Sequence, residues 1–173
     1  MPENIEFFNI VDNNGKIIGK ESRDICHNGS KILHPVVHIH ILNSKKQLLL
    51  QKRKSNKDIQ PGKWDTSIGG HIQAGESINQ ALIREAKEEI NADINLDKII
   101  PLKIYIFESE IEKEYVYSFI YFFSGKIIFQ KSEIDKVKFF SKNKIFKLIA
   151  KGRTTPNFIK EFNLLKQSNI SLF

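Results

Sequence analysis

The spacing of apolar residues changes period several times along the chain, and each change marks an element. Residues 5–11 (IEFFNIV) and 16–20 (KIIGK) flank Asp12-Asn13-Asn14-Gly15, a turn signal that predicts an N-terminal hairpin over 5–20. From His34 to Leu42, β-branched residues at Val36, Val37, Ile39 and Ile41 predict a strand; residues 47–52 (QLLLQK), after a polar Asn43-Ser44-Lys45-Lys46 turn, predict another. Residues 53–65 follow as a basic loop containing Pro61-Gly62 and ending at Trp64-Asp65. From Glu76 to Ile90 the period becomes helical, with Ile78, Ala81, Leu82, Ala86 and Ile90 forming one apolar stripe. Strand-like runs return at 99–107, 115–123 and 126–130. Ser141 is placed to cap a helix that ends near Lys151-Gly152, and Thr155-Pro156 to open a second, so terminal helices span about 141–167. Strands with one helix inserted and two appended predict an α/β fold, a mixed sheet between helical layers. No repeat, low-complexity tract or long linker breaks the chain, so residues 1–173 are expected to form one domain.

Composition narrows this picture. With 173 residues, 40% apolar, 10% aromatic and 27% charged, the chain can bury a core without a disulfide or structural metal. No apolar run approaches the roughly 18 residues of a membrane span, and Met1-Pro2-Glu3-Asn4 lacks the regions of a secretory leader. The lone cysteine, Cys26, excludes an internal disulfide and suits a reducing compartment, so a cytoplasmic protein without membrane attachment is expected. The net charge of +7 sits in the C-terminal part: residues 123–173 carry 11 basic and 3 acidic side chains. Lysine dominates there, Arg153 being the only arginine, and no nucleic-acid motif accompanies it. A solvated surface is the expectation, and nucleic acid is not the expected main partner.

The chemistry concentrates in Gly70–Ala92 (GHIQAGESINQALIREAKEEINA). At about 100° per residue, Glu85, Glu88 and Glu89 share one helix face, away from the apolar stripe. Crowded carboxylates repel, and divalent cations that prefer oxygen ligands, Mg²⁺ or Mn²⁺, relieve the repulsion; a solvated acidic face is the alternative. Arg84 can hold one carboxylate in place, and Gly69-Gly70 allow the backbone to approach a ligand closely.

The full spacing, Gly70, Glu76, Arg84, Glu85, Ala86, Glu88, Glu89 and Ala92, resembles the Nudix box: Gly, five residues, Glu, seven residues, then Arg-Glu-apolar-any-Glu-Glu-any-Gly-apolar. Asn91 stands where the motif has Gly; asparagine also tolerates the left-handed conformation of a helix end, so the turn should survive. The resemblance implies a Nudix α/β/α sandwich and metal-dependent attack of water on a pyrophosphate linkage, in a nucleoside diphosphate joined to another group or a related small-molecule diphosphate. It implies Glu85 and Glu89 as cation ligands, Glu88 as a shared ligand or general base, and Glu76 and Arg84 as braces of the catalytic turn.

Beyond the box, His27, His34, Arg53, Lys57, Pro61-Gly62, Trp64 and Gly70-His71 resemble isopentenyl-diphosphate isomerase and its hydrolase-like relatives. That likeness implies a second metal site at His27, His34, His71, Glu112 and Glu114, and a diphosphate grip by Arg53 and Lys57. Glu108, Glu110, Glu112 and Glu114 alternate, however, and can instead share a solvated strand face. His38 and His40 read as structural or surface residues. Trp64 can stack on a substrate base or belong to the core. The cysteine essential to the isomerase falls at Gly69, which cannot transfer a proton, while all three helix glutamates are kept. A hydrolase is therefore the expectation, with isomerase and a non-catalytic nucleotide sensor as alternatives. Oligomeric state is left open.

Overall fold

The computed structural model describes residues 5–57 and 59–168. The hairpin pairs β1 (Phe7–Val11) with β2 (Ile17–Ser22). A short α1 (Arg23–Cys26) leads to β3 (Leu33–Leu42), β4 (Leu48–Arg53), β5 (Trp64–Asp65) and β6 (Ile68–His71). Helix α2 (Ile78–Ile90) and a 3₁₀ turn at Leu96–Lys98 precede β7 (Ile100–Glu108), β8 (Lys113–Phe122) and β9 (Ile134–Phe140), and α3 (Lys142–Ala150) and α4 (Pro156–Gln167) follow.

Strands β3 to β9 form one mixed sheet along the path β5-β4-β3-β8-β7, with β6 on β3 and β9 on β4. The β3–β8 pair is parallel, from Leu33↔Lys113 to Leu42↔Phe122, and the remaining pairs are antiparallel. All ten residues of β3 are buried, as befits a strand covered on both faces. Val37, Ile39 and Ile41 pack under Ala81, Leu82, Ala86 and Ile90 of α2, the stripe expected from the sequence. A second cluster joins Leu42, Leu48, Leu50 and Ile120 to Ile145 of α3 and Phe158, Phe162 and Leu165 of α4. The result is the expected α/β/α sandwich.

Strands β3 and β4 pair at Leu42↔Leu48; past that pair, β6 takes β4's place beside β3, over Val36–Ile39. Ser67 bridges the divergence, accepting from Ile41 N at 2.9 Å and donating to Leu49 O at 2.5 Å. The opening between β4 and β6 is where a cavity forms.

Helix α2 begins with a reciprocal capping box between Ser77 and Gln80. It ends at Asn91, which is left-handed (φ 52°, ψ 39°), and Ala92 N donates to Ala86 O at 3.0 Å. Asparagine does at this position what glycine does in the motif.

One expectation fails. Residues 126–130 are not a strand: Ile128 N donates to Ile90 O (3.2 Å) and Gln130 N to Glu89 O (3.0 Å), so the segment satisfies the last carbonyls of α2 instead of joining the sheet. The strand there is β9, eight residues further on, where alternate lysines mask a period-two pattern.

Candidate functional site

A cavity of about 840 Å³ opens where the sheet parts, lined by groups from β3, β4, β6, α2, the β7–β8 turn and the start of α4. On its α2 side, residues of the Gly70–Ala92 segment converge. Glu85 and Glu89 are buried, whereas the Glu88 side chain is 53% exposed at the rim. Glu85 occupies the space that a Cβ on Gly70 would fill, so the carboxylate keeps this position only with glycine at 70. Glu89 Oε2 accepts from Gly69 N and Gln51 Nε2, each at 3.2 Å.

Arg84 braces this turn. It donates to Glu76 through Nε and Nη2 (both 2.8 Å), to His71 O (2.8 Å), to Glu85 Oε1 (2.6 Å) and to Glu88 Oε2 (3.3 Å). Its donors are committed to the protein, so its place is support rather than contact with a reacting group. Burial alone would raise the Glu76 carboxyl, but the Arg84 bonds hold it below the usual range. The opposite holds beside it: burial raises Glu85, and burial together with Glu85 drives Glu89 well above the ordinary carboxylate range. Two buried carboxylates that repel each other and face a cavity form a donor set suited to hard divalent cations.

On the far side, ring nitrogens of His27, His34 and His71 gather within 4.8 Å of one another. His27 is the residue that terminates α1, His34 and His71 face each other from β3 and β6, and Phe8 of the hairpin stacks on His71 with centroids 4.3 Å apart. His34 Nδ1 bonds to Ile32 O at 2.8 Å, which fixes its tautomer and aims Nε2 inward; that buried atom has no partner among the described residues. Burial lowers all three: His27 to about 4, with Arg23 and His34 adding to it, and His71 well below its normal value. Neutral, preoriented imidazoles fit a transition metal or Zn²⁺. Glu112 approaches His27 at 3.6 Å, whereas Glu114 accepts from Asn157 Nδ2 at 3.4 Å. Neither forms a solvated face: burial raises both, Glu114 to about 8.

Of the remaining expected residues, Arg53 lines the cavity, donating to Ile59 O (3.1 Å) and Asp65 Oδ2 (3.3 Å). Lys57 lines it too, paired with Glu133 at 3.1 Å. Trp64 does not reach it: the indole packs edge-on against Phe140 at 4.8 Å in the α3/α4 core cluster, so it is a core aromatic and not a base platform. Cys26 is buried with its thiol pushed up to about 11 by burial and Glu21, which makes it a poor proton donor or nucleophile.

The site also contains groups that pattern alone did not flag. His38 and His40 are buried, not surface, residues, and His38 Nδ1 lies 2.7 Å from Glu161 Oε1 of α4. Tyr105 OH lies 3.0 Å from Glu161 Oε1 and 2.7 Å from Asn157 Oδ1, its one proton shared between the two, and Thr66 also bonds to Glu161. Glu161 sits between Phe158, Phe162 and Leu165 on the apolar stripe of α4, and a carboxylate in a core position is the signal that marks it.

A family model for the NUDIX domain matches residues 32–162. A protein of Listeria innocua named as a Nudix hydrolase is 36% identical over 132 residues, 73% of this chain and 74% of its own length. One of Listeria monocytogenes, also named as a Nudix hydrolase, is 30% identical, with 96% of this chain and 99% of the relative covered. The crystal structure of DR0079 from Deinococcus radiodurans shares the fold, with a TM-score of 0.72 at 24% identity over 87% of this chain and 92% of that one. The chain belongs to the Nudix family and is a Nudix hydrolase, of the class that cleaves pyrophosphate linkages.

Proposed function

We propose that this Nudix hydrolase cleaves the phosphoanhydride of a nucleoside diphosphate joined to a second group, or of a related small-molecule diphosphate, with Mg²⁺ or Mn²⁺ held by Glu85, Glu88 and Glu89. The observation that carries this is the placement of Glu85 and Glu89: buried, mutually repelling, and open to a cavity that also presents Arg53 and Lys57. Cations held there by Glu85, Glu88 and Glu89 would supply charge neutralisation at the phosphoryl oxygens and a water of lowered pKa. The chain's own groups do the rest. Arg84 and Glu76 lock the turn; Gly69 N and Gln51 keep Glu89 oriented; Glu88, exposed at the rim, takes a proton or completes the ligand set. Arg53 offers a fork and Lys57 a point charge to the diphosphate. His27, His34 and His71, with Glu112, would hold a second, softer cation. The single free thiol suits a cytoplasmic setting.

The isomerase alternative draws on the histidine cluster, but isomerisation needs an acid and a base on opposite faces of an allyl system. Gly69 offers no proton, and Cys26 lies in another segment with a raised pKa. Incubation with isopentenyl diphosphate should therefore give no dimethylallyl diphosphate. The deciding experiment is phosphate release over dinucleotides, nucleotide sugars, coenzyme A and prenyl diphosphates with the metal varied. Turnover with Mg²⁺ or Mn²⁺ and none in EDTA is expected; tight binding without turnover across the panel would favour a sensor and overturn the hydrolase.

A further inference from the structure

Opposite the glutamates of α2, a second charged assembly reaches the same cavity from the other layer of the sandwich. His38 projects from β3 toward α4, where fully buried Glu161 takes its Nδ1 at 2.7 Å. Glu161 is itself fixed by Tyr105 OH at 3.0 Å and by Thr66, and His40 Nε2 lies 3.5 Å away. With Nδ1 committed to Glu161, the imidazole can turn only Nε2 to the cavity, which His38 lines. What keeps it open is Gly69, the register partner of His38 across β3 and β6: a Cβ there would lie 3.1 Å from His38 Nε2 and Cδ2. The amide of the same glycine donates to Glu89. One residue without a side chain thus touches the carboxylate set on one flank and the His38 ring on the other.

We propose that His38 is a substrate-contacting residue whose Nε2–H donates to an oxygen of the diphosphate bound at the α2 carboxylates, with Glu161 as its positioning residue. This rests on the hydrolase reading above and adds to it a contact delivered by the C-terminal helix. Electrostatics agree: burial would lower the imidazole, but Glu161 at 2.7 Å, with Glu114 and Asp65, raises it to about 9, so the ring is a cation at neutral pH. A charge-assisted donor facing the cavity suits an anionic oxygen. A buried carboxylate–imidazolium pair on an otherwise apolar helix face is no better for stability than packed hydrocarbon, so stability alone does not account for it.

Two amides of similar size separate contact from support. Asparagine at 38 can place its NH₂ where Nδ1 was, keeping the bond to Glu161 and losing the cavity donor; glutamine can place its NH₂ near Nε2, keeping the donor and losing the Glu161 bond. The contact proposed here predicts that His38→Asn lowers kcat/KM about 100-fold and His38→Gln only about tenfold. It predicts the same ranking for affinity toward imidodiphosphate, a diphosphate mimic that is not hydrolysed, measured calorimetrically in Mg²⁺. A purely structural role predicts the reverse ranking, because asparagine preserves the bond to Glu161; that ranking, or equal losses, overturns the proposal. If either variant does not fold, the His38 Nε2–H resonance of the wild-type protein decides: imidodiphosphate with Mg²⁺ should shift it, and no shift overturns the contact. Absence of phosphate release by the wild type with every substrate would sink the hydrolase reading alone, and imidodiphosphate binding would still decide the role of His38.

Discussion

Replacing Glu89 with glutamine should make the metal-free protein more stable while sharply lowering turnover. The side chain is buried, and Oε2 accepts from Gly69 N and Gln51 Nε2, both at 3.2 Å. A glutamine carbonyl can keep both bonds at the same volume, so the substitution removes chiefly a buried carboxyl that must either take up a proton or hold charge beside Glu85. Relieving a strained functional site of this kind typically gains about 0.5–2 kcal/mol. For a chain this size that corresponds to a rise in Tm of about 1–8 °C. The pH dependence carries a definite sign. Burial and Glu85 raise the folded-state pKa of Glu89. Its stabilising contribution is thus complete below the unfolded value of about 4.3 and is lost as pH rises through the folded value. Wild type and Glu89→Gln should have similar stability in EDTA near pH 4 and diverge toward neutrality, the variant being the more stable. Magnesium reverses the order, because a cation that binds only the folded wild type adds about 2.7 kcal/mol at 100 times its Kd. A cation supplies several kcal/mol to the transition state, and each 1.36 kcal/mol is a decade, so kcat should fall by about 10²–10⁴-fold. Urea denaturation across pH with EDTA or Mg²⁺, alongside phosphate release, tests all of this. A variant that is less stable than wild type in EDTA at pH 7, or is stabilised equally by Mg²⁺, would refute the account of Glu89.

The remaining predictions probe neighbouring features. Gly70→Ala forces the Glu85 carboxylate out of its pocket; because that group ends a flexible chain, stability should fall by no more than about 1–3 kcal/mol, while Mg²⁺-dependent turnover should fall at least about 100-fold. Since His27 is depressed to about 4, cobalt or zinc binding at the histidine cluster, read by metal analysis of gel-filtered protein, should persist at pH 6, weaken as pH falls toward 4, and drop by one ion per chain in His27→Ala/His34→Ala. Protonation of these imidazoles in the unfolded chain likewise means that metal-free stability declines as pH falls from about 6.5 toward 4. Asn91→Gly should be neutral or stabilising by under about 1 kcal/mol, and Asn91→Val destabilising by about 1–2 kcal/mol in denaturant titrations, because φ there is 52°.

Which parts of this were visible in the chain follows from how local their causes are. The α2 stripe and its glutamate face depend on residues a turn or two apart, so periodicity alone located them, whereas the Ser77 cap emerged only from the structure. The hairpin followed from four turn residues, and the terminal helices from Ser141, Gly152 and Thr155-Pro156; Thr155 does accept from Phe158 N, while Ser141 holds the cap position without a side-chain bond. Misreadings arose where tertiary partners decide. Residues 126–130 are apolar enough for a strand, but the unpaired carbonyls at the end of α2 claim their amides. Trp64 carries the right chemistry for stacking, yet Phe140 claims its ring. The most distant relation, His38 with Glu161, spans 123 positions. No window of sequence joins them, although a glutamate among Phe158, Phe162 and Leu165 and a histidine in an all-buried strand each break the local hydrophobic rule in the way that functional sites do.

Those two violations, with the two buried glutamates of α2, have a common topological origin. In a sandwich, the helices of opposite layers face opposite sides of the sheet, and their side chains do not ordinarily meet. Here β4 leaves β3 after Leu42↔Leu48, and the vacated edge of β3 is taken by β6, whose Gly69 and Gly70 project nothing into the gap. Position 70 is filled by Glu85 from one layer, and position 69 is flanked by His38, which is anchored to the other. An alanine at either position would close part of the passage, so the glycine pair serves less to bend the chain than to let two layers address one substrate. Each layer's core, the α2 cluster on one side and the Phe158/Phe162 cluster on the other, then holds its charged group rigidly from behind. Preorganisation of that kind lets buried charge stabilise a transition state without having to rearrange during the reaction.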